Sequence, residues 1–448
     1  MTEINHNEDL INKPVPKLIK IIAWPAAIGF FFNTMYNVVD TWVAGQISSE
    51  ALAALSITFP VLFIVIAVSM GISTAVTILV ANELGAKRKA EAKHYATQGI
   101  IFGTLISLLL SIVGYFSAET LFKILGADGS YLDIALVYMQ TIFLGSIFFG
   151  LNSVFNGILN AIGDTKSYRN ILVAGFFVNL ILSPILAFGW SIFPELGVFG
   201  IAIATIISNL LGFIYLLYKV RQTNLVEIKK LLSPKLQAFI DLSTQGLPAS
   251  FSMLTVAIGA FIITYFISQY GENAVAGYGA AIRIEQIALI PAIGINIAVL
   301  TLIGQNNGAK NLDRVRETIK YGIRYILIIN TFASVFILLS GNHLLKLFTD
   351  VPEVIAFGVE YLFVAALMTW AYGLIFVTES ALRGLKRPNF PMIIGIIRQI
   401  ILPLPLFYLV TFTLNLGMSG LWWSLFIIIW LAAITSLAYT NYILHNKI

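Results

Sequence analysis

The sequence predicts an all-α polytopic membrane protein: twelve transmembrane helices forming two pseudo-symmetric six-helix lobes. Three observations predict this. The composition is 58% hydrophobic and 11% charged, whereas a soluble domain carries about 25% charged residues. Apolar stretches of about 20 residues, enough to cross a bilayer, recur from end to end. The second half of the chain also repeats the first.

In chain order the apolar stretches fall at 18–44, 52–80, 94–116, 131–157, 168–189, 195–220, 240–268, 274–304, 318–340, 353–382, 390–412 and 418–443. Many are longer than a bilayer needs, so tilt or extension into water is expected. The loops alternate in charge. Lys13, Lys17 and Lys20 lead into the first span. Lys87, Arg88, Lys89 and Lys93 follow the second, Lys166 and Arg169 the fourth, and Lys219, Arg221, Lys229, Lys230 and Lys235 the sixth. Lys310, Arg314, Arg316, Lys320 and Arg324 follow the eighth, Arg383, Lys386 and Arg387 the tenth, and Lys447 closes the chain. Of 27 Lys and Arg residues, 23 thus lie on one side. The opposite loops hold Lys123 and Lys346, and the remaining two, Arg283 and Arg398, lie within spans. The positive-inside rule makes the basic side cytoplasmic, with both termini there and the chain in the plasma (inner) membrane. The net charge of +5 is a topological signal. Nucleic acid is not an expected partner, because no compact domain carries the basic residues.

The polar opening MTEINHNEDLINKPVPKL lacks the apolar core of a signal peptide and is expected to stay on the protein. There are no cysteines, which excludes disulfides and thiolate sites. His6, His94, His343 and His445 are scattered, so no metal site is expected.

Shifting the sequence by 223 residues superposes its halves. Pro25 meets Pro248, Ala51 meets Ala274, Gly71 meets Gly294, and Gly85-Ala86-Lys87 meets Gly308-Ala309-Lys310. With small offset changes, Gly163 meets Gly384 and Pro184 meets Pro405. Each copy has six spans, an even number, so the copies share one orientation, as in parallel-repeat transporters. The lobes are placed at 1–220 and 240–448. The linker at 221–239 is charged and is expected to contain an amphipathic surface helix. Duplication read plainly builds a large bundle; read functionally, two similar halves suit alternating access.

Asp40 interrupts MYNVVDTWVAG, where a charge at bilayer depth costs about 3 kcal/mol on insertion scales. Asn33, Tyr36, Asn37 and Asp40 fall at i, i+3, i+4 and i+7, one polar stripe expected to face the lobe interior or a wet cavity. Asp40 follows Lys20 by 20 residues, about 30 Å of helix rise, which places it in the outer half of the bilayer. Asn152 and Asn156, Asn179 and Ser183, and Thr205 and Asn209 offer polar groups at one-turn spacing in the same lobe. They are expected to bond Asp40 in one state and release it in another. Burial raises a carboxylate's pKa and donors to the ionised form lower it, so such alternation suits proton uptake and release. The ionised form also attracts organic cations, with aromatics and Met35 for apolar contact. The plainer alternative is an interhelical clasp.

In the second half, Glu272 with Arg283 and Glu379 with Arg398 read as two internal ion pairs with a structural or gating role. Trp42, Trp190, Trp422 and Trp423 read as interfacial anchors.

FFNTMYNVVDTWVAG followed by EALAALSITFP, NELGAKRKAEA with its repeat GQNNGAKNLDRV, NAIGDTKSYRN and ALRGLKRPNFP together resemble the multidrug and toxic compound extrusion (MATE) family. The likeness covers essentially the whole length, and the paired Gly-Ala-Lys loops are its most specific part. It implies a cation-driven drug exporter with a V-shaped pair of lobes and Asp40 as the essential carboxylate. The sodium-coupled branch has a glutamate in the seventh helix and an aspartate in the tenth; Val256 and Tyr372 stand there. The proton-coupled DinF-like branch is nearer, but its second aspartate, before the proline of the fifth helix, is Ser183. Asp40 is therefore expected to act with neutral partners.

The expected function is a secondary multidrug efflux antiporter, exporting organic, mostly cationic compounds in exchange for protons by alternating access. The alternatives are a sodium-coupled exporter and a lipid-linked sugar flippase. A flippase would want several cavity Lys or Arg for pyrophosphate, and the amino lobe has essentially none within its spans. No H-E-x-x-H, nucleophile–base set or Walker A motif is present, so neither an enzyme nor an ATP-driven pump is expected. The expected partners are small organic cations or amphipathic drugs and the bilayer. The coupling ion is H+ or Na+, with no cofactor, and the chain is a monomer.

Overall fold

The computed structural model describes residues 10–190, 193–227, 230–231 and 233–446. His6, Lys229 and Lys447 lie outside the described residues. In hydrocarbon every backbone N–H and C=O must be satisfied within the chain, so continuous apolar sequence becomes helix. The spans are Val15–Ile47, Ser49–Gly85, Lys89–Ile124, Gly129–Leu144 with Ser146–Ala161, Lys166–Phe188, Gly197–Gln222, Leu236–Ser268, Glu272–Gly308, Leu312–Leu345, Pro352–Gly384, Asn389–Thr413 and Gly417–Asn446. Among the described residues this makes eleven helices able to cross a membrane and one bent pair, twelve spans in all.

The fourth span bends by 47° at Gly145-Ser146, the kind of pair at which helices kink. A side chain at Gly145 would meet Ile206 of the sixth span at 2.5 Å, and Ser146 Oγ donates to the Ser107 carbonyl at 3.1 Å. The eleventh span contains two π-helical turns, Ile397–Ile401 and Leu409–Thr413, around a short α segment that begins at Pro403. Pro403 and Pro405 lack amide donors and crowd the carbonyls one turn earlier, which favours such widening.

Four basic loops close in the same way. Arg88 N–H bonds to the Glu83 carbonyl, Asp164 to Leu159, Asn311 to Asn306 and Arg387 to Leu382, all at 2.9 Å. These are 6→1 bonds of Schellman caps, which need a left-handed residue. Gly163 supplies it once, at φ 79°, while Lys87, Lys310 and Lys386 adopt φ of 59°, 56° and 60°. Basic residues also suit the negative end of a helix dipole.

Contacts divide the described residues into two compact units, residues 28–250 and residues 10–27 with 251–446. The first span thus changes unit at Ala27/Ile28 and the seventh at Ser250/Phe251. These are equivalent positions in the repeat, each two residues beyond its proline. The reason lies in paired close approaches. In one unit a side chain at Gly71 would come within 2.8 Å of the Gly246 carbonyl oxygen. In the other, at the equivalent positions, a side chain at Gly294 would come within 2.2 Å of the Ala23 carbonyl oxygen. Glycine lets helix backbones touch where lipid supplies no hydrophobic drive between them.

Between Gln222 and Leu236 the described linker residues form turns, irregular backbone and a 3-10 position at Lys230, and the rest of the expected surface helix falls on residues outside the described ones. The third span satisfies that backbone instead. Gln98 donates to the Ser233 carbonyl at 2.9 Å and accepts from Lys235 N–H at 2.8 Å. Thr97 accepts from Glu227 N–H at 2.9 Å, and Tyr95 donates to Asp241 at 2.7 Å. Gln98→Ala removes both ends of a two-point anchor, at a cost of about 2 kcal/mol. The variant is expected to melt earlier in detergent and to be cut faster by protease between residues 223 and 235; unchanged melting and cleavage would refute the anchor.

Candidate functional site

Asp40 is 5% exposed. The first span carries it on the same face as Val39, Val43 and Ala44, all buried, so packing of this apolar stripe takes the carboxylate inward. Two hydroxyls meet it. Thr205 Oγ1 of the sixth span donates to Oδ2 at 3.1 Å, and Ser183 Oγ of the fifth donates to Oδ1 at 3.4 Å. Both are longer than the roughly 2.5–2.7 Å of a tight hydroxyl–carboxylate bond. Tyr36, one turn before Asp40, has a buried hydroxyl without a hydrogen-bond partner. Asn179 is fully buried, neighbours both Tyr36 and Asp40, and has neither amide atom bonded. Among the described residues no Lys or Arg pairs with Asp40. The result is a buried carboxylate in a loose cradle of neutral groups with spare hydrogen-bonding capacity. Such a site can take or give up a proton with little rearrangement.

Five of the sequence-derived residues are therefore gathered: Tyr36, Asp40, Asn179, Ser183 and Thr205. Asn33 and Asn37 are exposed, and Asn37 donates to the Asn33 carbonyl at 3.0 Å. The stripe expected to face inward is thus split, because the burying face of the helix follows Tyr36 and Asp40. Asn152 reaches the carboxylate only indirectly. It donates to the Asn209 carbonyl at 2.9 Å, Asn209 donates to the Thr205 carbonyl at 2.9 Å, and Thr205 holds Asp40. Asn156 is buried one turn further along the fourth span. Sequence reading missed Ser208, which neighbours Tyr36, and Tyr138, which lies in the electrostatic field of Asp40. Ser208 was legible at i+3 from Thr205; Tyr138 carries no local signal in YLDIALVYMQT.

The carboxy-terminal unit corrects both expected ion pairs. Glu272 begins the same helix that holds Arg283; about 16 Å of rise separates them, and both are exposed. Glu379 accepts instead from Arg383 at 3.1 Å, four residues on, so Arg398 is left without it. A further buried acid here is Glu285, 4% exposed, which accepts from Tyr361 Oη at 2.6 Å. Tyr278, Tyr361 and Trp422 pack as an aromatic cluster with centroids 4.9–5.8 Å apart. Trp422 is 1% exposed and so is a core residue, not an interfacial anchor; Trp42, Trp190 and Trp423 are exposed. Among the described residues no group of three or more His, Asp or Glu forms a metal site.

Comparison with known proteins agrees with this architecture. Residues 25–185 and 248–409 each match the MatE family model, at equivalent places in the two repeats. A "FAD transporter" of Shewanella oneidensis is 27% identical over 403 residues, 89% of this chain and 88% of that protein. The "Multidrug export protein MepA" of Staphylococcus aureus is 26% identical over 441 residues, 97% of this chain and 95% of that protein. A crystal structure of a MATE protein in complex with MaL6 shares 25% identity with a TM-score of 0.91 and covers 99% of both chains.

Proposed function

This chain belongs to the MatE family, a family of transporters, and we propose on that premise that it is a secondary drug exporter driven by protons through Asp40. The observation that carries the proposal is the Asp40 cradle: one buried carboxylate, two long hydroxyl contacts, unbonded neutral groups beside it and, among the described residues, no cation to neutralise it. A conformational change that drew Thr205 and Ser183 closer, or opened the site to water, would favour the ionised form. One that removed them would favour the protonated form. Alternation between two such states, each open to one side of the membrane, exchanges protons for cargo. The relatives named for multidrug export support amphipathic organic cations as cargo. The relative named for FAD transport makes a phosphorylated cargo the alternative. The repeat and charge pattern support lobes at 1–220 and 240–448 as the moving parts, with both termini in the cytoplasm of a cell whose plasma membrane holds the monomer.

Sodium coupling is the second reading, because Asp40, Ser183, Thr205, Tyr36 and Asn179 offer oxygens of the kind that hard cations take. Proteoliposomes loaded with ethidium separate the two readings. An imposed pH gradient is expected to drive efflux, and a sodium gradient at equal pH is not. Efflux under sodium alone would replace protons by sodium, and efflux under neither would overturn coupled export.

A further inference from the structure

In the carboxy-terminal unit the start of the first span packs on the ninth: Leu18, Ile19 and Ile22 share a buried cluster with Ile319 and Ile326. Both are odd-numbered spans, so they run parallel. At their seam Lys20 of the first span lies over the Tyr325 ring of the ninth, with Nζ 5.3 Å from its centroid, a cation–π contact. Lys20 and Arg324, the residue before Tyr325, are both exposed. Among the described residues neither has an ion-pair partner. The nearest acid on the ninth span, Glu317, stands two turns back, about 10 Å along the helix, in the field of Arg314. Arg324 and Lys346 stand 22 residues apart with no other Lys, Arg, Asp or Glu between them. That is about 33 Å of helix rise, close to the roughly 30 Å of a hydrocarbon core. Arg324 and the lysine beside it therefore sit at the edge of the hydrocarbon on the side of the basic loops, the depth of lipid phosphates. Trp24, one turn beyond Lys20, is 70% exposed; Ile328 and Phe332, one and two turns beyond Arg324, are 45% and 73% exposed. An open apolar track thus leads from two unpaired cations into the bilayer. The repeat supplies the contrast. At the equivalent positions of the other unit Lys20 is replaced by Ser243, Trp24 by Leu247, Arg324 by Ile101 and Tyr325 by Phe102. Basic residues needed only for membrane orientation belong in loops; these two stand inside helices, at one seam of one unit.

We propose that this seam binds an anionic phospholipid, with its phosphodiester at Lys20 and Arg324 and its acyl chains along Trp24, Ile328 and Phe332. Bound there, the lipid ties the first turns of the first span to the ninth. The proposal is independent of cargo and of coupling ion.

Native mass spectrometry of the purified full-length protein in detergent tests it, by titrating dioleoyl phosphatidylglycerol against dioleoyl phosphatidylcholine. The two lipids share chains and phosphodiester and differ in net charge. The first lipid bound by the wild type is expected to be tighter for phosphatidylglycerol by about tenfold, the scale set by two basic residues at the membrane surface. Lys20→Gln combined with Arg324→Gln is expected to bring that ratio to about one. Lys89→Gln combined with Lys166→Gln removes two exposed charges from the other unit and is expected to leave the ratio unchanged. Glycerophosphoglycerol, the headgroup without chains, is not expected to displace the lipid. Equal binding of the two lipids by the wild type would overturn the proposal, even if the Lys20 and Arg324 variant fails to fold. An unchanged ratio in that variant, once folded, would do the same. Equal loss in both double variants would replace the site by a diffuse surface field, and displacement by glycerophosphoglycerol would replace the lipid by a soluble phosphodiester.

Discussion

Asp40→Asn is expected to abolish drug efflux driven by a pH gradient while the protein still folds and inserts. The amide has the size and shape of the acid. Thr205 and Ser183 can donate to its Oδ1 or accept from its Nδ2, so the contacts at 3.1 and 3.4 Å survive. Loss of stability is expected to stay within about 1 kcal/mol. What disappears is the one buried carboxylate among the described residues of the 28–250 unit that sits in a cradle of neutral donors. An amide cannot cycle a proton at any accessible pH. Ethidium efflux from proteoliposomes should fall to the protein-free background, with gel filtration and melting temperature in detergent unchanged. Asp40→Glu keeps the titrating group on a longer arm and should retain reduced, still pH-driven efflux. Full transport by Asp40→Asn would remove Asp40 from the mechanism and leave it as an interhelical clasp.

Asp40 was legible because a membrane carboxylate is costly and because helical spacing links it to Tyr36. The twelve spans, the duplication and the alternating loop charge were legible for a similar reason: bilayer thickness and backbone saturation leave long helices few alternatives. Side-chain partners were harder. Glu379 was assigned to Arg398 across helices although Arg383 stands four residues away on the same face, and the local pairing won. Glu272 and Arg283 were read as loop and span, but they share one helix. Glu285 carries no local signal in AAIRIEQIALIP. Its partner Tyr361 is 76 residues distant, and nothing local announces such a contact. The split of the Asn33–Asp40 stripe has the same origin. Periodicity gives a face, while the neighbours decide which edge of that face is buried.

Two equivalent glycines at close helix contacts are expected to respond unequally to the same substitution. Gly71 and Gly294 occupy equivalent positions, and each lets a second helix backbone approach. An alanine methyl at Gly71 would lie 1.9 Å from Ser250 Oγ and 2.8 Å from the Gly246 carbonyl oxygen. The hydroxyl can rotate away, leaving a modest backbone shift, so Gly71→Ala is expected to cost about 1–2 kcal/mol. At Gly294 the same methyl would lie 2.2 Å from the Ala23 carbonyl oxygen and 3.0 Å from its carbonyl carbon. No rotamer relieves a backbone clash. The start of the first span, around Ala23, must move off the eighth span, and Gly294→Ala is expected to cost about 3 kcal/mol or more. Melting in detergent would rank them, with Gly294→Ala far below Gly71→Ala and Gly294→Leu yielding no monodisperse protein. A second variant isolates the cause. Ser250→Ala removes the rotatable obstacle and should restore part of the Gly71→Ala loss, while it leaves Gly294→Ala untouched because its obstruction is main chain. Equal losses at the two glycines, or no rescue by Ser250→Ala, would mean that the close approaches relax freely and do not hold residues 10–27 and 236–250 in the units where they lie.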